Sequence, residues 1–95
     1  MKLERYLEFF QEVLTMTDPK DKESIARGKE LLKQLMEHGR RSGQNDHLTD
    51  EMMVRGYTDL GYCLRRKEDF ACKPDDEEGN RAKRRRLAQY LYPGC

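Results

Sequence analysis

Leu3-Glu4-Arg5-Tyr6-Leu7-Glu8-Phe9-Phe10-Gln11-Glu12-Val13-Leu14 is the stretch on which the fold turns. Leu3, Tyr6, Leu7, Phe10, Val13 and Leu14 recur at steps of three and four, so they share one face of an α-helix, with Glu4, Glu8 and Glu12 between them. Phe9 widens that stripe. Adjacent rings at Phe9 and Phe10 cannot both enter a narrow seam, because neighbours on a helix point in different directions. Tyr6, Phe9, Phe10 and Val13 are therefore the candidate partner-binding residues, and an apolar partner or a second copy is expected on this face.

Outward from this helix, Thr15 to Thr17 should end it, Asp18 can cap the next one, and Pro19 suits a first helical turn. Ile25, Gly28, Leu31, Leu32, Leu35 and Met36 then repeat at helical spacing towards His38, with Gly39 as the expected stop. A short connection makes the two helices an antiparallel hairpin. Gly39 to His47 reads as an exposed loop. Thr49 or Asp50 can cap a third helix through Met52, Met53, Tyr57, Leu60 and Leu64, which Gly56 and Gly61 weaken. The stretch from Lys73 to Asn80, with Pro74 and four consecutive acids, reads as a solvated connector. A last helix should start near Asp76 or Asn80 and stop at Tyr92, before Pro93-Gly94.

The expected fold is thus all-α, a small bundle of three to four short helices with an N-terminal antiparallel helical hairpin and a basic C-terminal helix. The expected organisation is a helical domain over 1–72, an acidic connector over 73–80, and a basic helix over 81–95 that packs on the domain or extends from it.

Composition narrows the class. Apolar residues make up 36% of the 95-residue chain and charged residues 39%, so one thin core is all the chain can build. The mean hydropathy is −1.08. A thin core favours a homo-oligomer or a docked partner. No run reaches the roughly 18 consecutive apolar residues of a membrane span, the first residues lack a secretory apolar block, and no prenylation tail follows Cys95. No membrane is expected, and the address is nucleus and cytoplasm. Cys63, Cys72 and Cys95 form no close pair, which fits free thiols in a reducing compartment.

The net charge of +1 conceals an uneven distribution. Residues 1–39 carry seven basic and eight acidic side chains, residues 40–80 seven and ten, and residues 81–95 five and none. Arg81, Lys83, Arg84, Arg85 and Arg86 form one basic run, and Arg65, Arg66 and Lys67 form a second about a dozen residues upstream. Together they resemble a bipartite nuclear localisation signal for an import receptor. The same residues can neutralise phosphates, with Tyr57, Tyr62, Tyr90 or Tyr92 nearby to stack on bases of RNA or DNA. The near-neutral balance, pI ≈ 7.7, argues against a dedicated nucleic-acid domain.

Enzyme signatures are missing: there is no phosphate-binding glycine loop, nucleophile elbow or zinc-protease motif. His38 and His47 do not share zinc spacing with the cysteines. Neither a cofactor nor a metal is expected. The sequence reading is a non-enzymatic regulatory or accessory protein that acts through helix-mediated protein contacts. Its small size and crowded charge are in the style of a viral accessory protein. The alternative is an RNA- or DNA-binding protein that grips the phosphate backbone with the C-terminal basic cluster.

Overall fold

A computed structural model of the chain describes residues 3–42 and 50–91, which form six helices and no strand. Helix α1 spans Leu3–Met16, α2 Lys22–Ser42, α3 Asp50–Thr58, α4 Leu60–Arg65, α5 Lys67–Phe70 and α6 Glu77–Leu91. The all-α bundle is the expected class.

Helix α1 is the axis of the core. Its Tyr6, Leu7, Phe10, Val13 and Leu14 are all buried, and α2, α4, α5 and α6 each pack against it. Leu32 closes the core from α2, Leu60, Cys63 and Leu64 from α4, Phe70 from α5, and Leu87 and Leu91 from α6. The stripe that favoured a partner is covered by the chain's own helices.

The hairpin is antiparallel. Gly28 lies against Val13 and Thr17 near the end of α1, while Leu35, two turns further along α2, shares a groove with Arg5 and Phe9 near its start. Its connection differs from expectation in one detail. Asp18 does not cap α2: its backbone carbonyl accepts from the Asp21 N–H at 3.1 Å, closing a turn around Pro19 and Lys20. Asp21 is the cap, its Oδ1 accepting from the Glu23 N–H at 3.0 Å. The two aspartates have the same capping chemistry, and Pro19 at the second turn position decides between them.

Helix α2 runs through Gly39 to Ser42, past the expected stop. One interior glycine costs about 1 kcal/mol, which a helix of this length absorbs. The rest of the expected loop, from 43 to 47 with His47, lies outside the described residues, as do Tyr92, the Pro93-Gly94 stop and Cys95.

The segment expected as a third helix is divided. Asp59, at φ −96° and ψ 9°, separates α3 from α4, and Arg66, at φ −113° and ψ 34°, separates α4 from α5. These two breaks turn the chain so that both Leu64 and Phe70 reach the core. After α5, Ala71 is extended. Asp75 then adopts φ 60°, a left-handed conformation that aspartate tolerates better than most residues. Asp76 caps α6 by accepting from the Gly79 N–H at 3.0 Å. The last four residues of the expected connector are thus the first turn of α6.

Candidate functional site

Three lysine and arginine heads that looked free in the sequence are built into the fold. The Lys67 ammonium donates to the carbonyls of Thr15 at 3.2 Å and Thr17 at 3.0 Å. A cation on the last carbonyls of α1 satisfies orphan acceptors and complements the helix dipole. Lys83 donates to the Ala71 carbonyl at 3.1 Å, tying α6 to the strand of chain that follows α5. Arg84 donates from Nε to Glu4 at 3.2 Å and from its guanidinium to the Gln11 side-chain oxygen at 3.2 Å. Gln11 is itself fully buried, and its amide donates to the carbonyls of Phe70 at 2.9 Å and Asn80 at 3.2 Å.

These anchors bring the two basic runs together. Arg65, Arg66 and Lys67 from the α4–α5 corner, Lys73 from the following segment and Lys83 from α6 border one cleft of about 560 Å³. Leu64, Ala71, Cys72 and Pro19 complete its walls, with Glu68 and Asp69 as its acids. Asp69 faces Arg86, at 3.9 Å. Lys73 was not among the candidates, because it is the first residue of the stretch read as an acidic connector. What positions it is Asn80, whose side chain accepts from the Lys73 N–H at 2.8 Å and donates to its carbonyl at 2.9 Å. The four acids at 75–78 do not line the cleft, and Glu77 lies 4.0 Å from Arg81 on its own helix.

The C-terminal run does not act as one surface. Successive residues on a helix turn by about 100°, so five cations within six positions point all around α6. Lys83 faces the cleft, whereas Arg81, Arg84 and Arg85 line a separate groove of about 290 Å³ with Glu4, Leu7 and Ala88. Of the eight basic candidates, Arg65, Arg66, Lys67 and Lys83 converge. Arg86 reaches the cleft only through Asp69. Of the four partner-binding candidates, Tyr6, Phe10 and Val13 are buried in the core, where no partner can reach them, and Phe9 is half-buried against α2.

Beside the cleft, the aromatic rings of Tyr62 and Tyr90 stack at 4.9 Å with planes 13° apart. Arg66 lies 5.4 Å from the Tyr62 ring centre and Arg55 lies 5.4 Å from that of Tyr90. The Tyr90 hydroxyl donates to Asp59 at 3.3 Å, and burial followed by the nearby Asp59 carboxylate raises its pKa.

Neither of the two described thiols is activated by its surroundings. Burial, followed by Asp59, pushes the Cys63 thiol up to about 12. Burial also raises the half-buried Cys72, against the opposing pull of Arg84 and Lys83. Thiolate is the reactive form, so burial works against nucleophilic reactivity at both positions. Among the described residues no three His, Cys, Asp or Glu side chains gather closely enough to hold a metal ion, and no helix is long and apolar enough to cross a membrane. Comparison with protein-family models, with characterised proteins and with solved structures finds no match for this chain.

Proposed function

We propose that the protein acts by binding and not by catalysis, and that its ligand is a nucleic acid held through its phosphates in the cleft between α4, α5 and α6. The observation that carries this reading is the convergence of Arg65, Arg66, Lys67, Lys73 and Lys83 on one concave surface of a chain whose net charge is only +1. Segregating cations in this way gives a near-neutral protein a local positive field, which is what a phosphate backbone responds to. Arg65, Arg66 and Lys73 are exposed, and Lys83 keeps ammonium protons beyond the one given to Ala71. Three or four phosphate contacts to a single strand imply that log K falls with log salt at a slope of about −2 to −3. The apolar stripe of α1, the basis for a protein partner, is spent on the core.

The test compares two variants of equal charge. Arg65→Ala with Lys73→Ala removes two cleft cations, neither of whose side chains holds the fold together. Arg81→Ala with Arg85→Ala removes two from the other groove. The cleft variant should lose about tenfold or more in affinity for a labelled oligonucleotide and flatten the salt slope, while the groove variant keeps both near wild type. Equal losses in the two variants would reduce the effect to net charge and remove the cleft from the account.

A further inference from the structure

We infer that the nucleic acid is taken as a single strand, with one base stacked on Tyr62 while the adjoining phosphates lie in the cleft. This rests on the reading of the cleft as a phosphate site and adds to it the form of the ligand. Tyr62 is one of three large hydrophobic side chains exposed on the described surface, with 36% of its area open, and the only aromatic one of the three. It is nevertheless held in place. Its ring lies flat against Tyr90 at 4.9 Å, and Tyr90 is fixed in turn by its hydrogen bond to Asp59 and by Arg55 beside it. Ordering an aromatic ring before the ligand arrives lowers the entropy lost on binding.

Arg66 joins this ring to the cleft. One turn beyond Tyr62 on the chain, its guanidinium lies over the Tyr62 ring, 5.4 Å from the ring centre, and the residue also borders the basic cleft. A base therefore reaches Tyr62 by displacing this guanidinium from the ring, and the freed Arg66, with Arg65, Lys73 and Lys83, takes the phosphates that flank it. A duplex cannot use this arrangement, because both faces of each paired base are covered by their neighbours. It can reach only the cations. An unpaired base offers its face, and stacking on an aromatic side chain serves any base.

The experiment uses the full chain and three probes of equal length at one salt concentration: a labelled oligothymidine, the same strand made abasic, and the corresponding duplex. The abasic strand keeps the phosphates and loses the rings, so it should bind about tenfold more weakly than the oligothymidine, in the range of one stacked base. Tyr62→Leu should bring the oligothymidine down to the abasic value and leave duplex binding unchanged, while Tyr62→Phe keeps the wild-type preference. Equal binding of the abasic and normal strands to the wild-type protein overturns the inference, whatever Tyr62→Leu does to folding, and leaves the cleft reading standing. Failure of all three probes to bind overturns the cleft reading, and this inference with it.

Discussion

Single side chains in this fold have opposite tolerances even where they are the same residue type. A methyl group added at Gly56 would collide with the Tyr6 hydroxyl and press on the Phe10 ring, both in the core. Gly56→Ala should therefore destabilise by about 1–3 kcal/mol. Gly61, inside α4, has nothing within 4 Å of the same point. Gly61→Ala should stabilise by about 0.4–1 kcal/mol, since alanine is the better helix former and loses less freedom on folding. Urea denaturation of both variants checks the two signs together. The sequence alone treats these glycines alike, because only the packing of α3 on Tyr6 distinguishes them.

A second residue-scale expectation comes from the core's titratable groups. Burial, followed by the proximity of Cys63, raises the Tyr6 phenol, and Cys63 itself moves from an ordinary 9.0 to about 12. The folded state thus holds protons that the unfolded chain releases. This contribution is complete below about pH 9 and is lost as pH rises towards 12, at about 1.4 kcal/mol per pH unit for each group in its window. Urea midpoints should fall steeply above pH 9, and Cys63→Ala with Tyr6→Phe should flatten the profile. A flat wild-type profile from pH 8 to 11 would contradict it.

Among elements, α6 depends on one polar residue of α1. Gln11 bonds to the Phe70 carbonyl, the Asn80 carbonyl and Arg84, so three segments meet at a side chain that has no exposed surface. Gln11→Leu takes one hydrogen bond from each of these groups, leaving Arg84 only Glu4, and should cost about 1–3 kcal/mol. Hydrogen exchange should then quicken in α6 more than in α2. Gln11 was not legible as a core residue, because a glutamine between Phe10 and Glu12 reads as part of the wet face. The apolar stripe of α1 was legible, since six residues at helical spacing admit no other period. The start of α6 was legible only as a choice between Asp76 and Asn80, because either side chain can cap a helix and Gly79 lies between them; the bond from the Gly79 N–H to Asp76 decides it. The breaks at Asp59 and Arg66 were not, since neither residue is a strong helix breaker and the reason for breaking is the reach of Leu64 and Phe70 to a core formed by other elements.

At the scale of the whole molecule, function in this account comes from rearranging charge that the sequence lays out in misleading order. The C-terminal run from Arg81 to Arg86 looks like a single device and is divided by helix geometry among a cleft, a core-facing anchor and an outer groove. Arg65 and Lys83, 18 positions apart, share the cleft because α6 doubles back beside α5. Long-range docking of this kind leaves no periodic trace, which is why Lys73 escaped notice while Arg84 was overvalued. The most direct measurement of the central claim is a 1H–15N spectrum of the labelled protein titrated with oligothymidine at low salt. The amides of residues 64–73 and of Lys83 should shift together and saturate together, with α2 from 22 to 36 unchanged. Shifts confined to the α1–α2 hairpin, or to the Arg81 and Arg85 side of α6, would contradict the account.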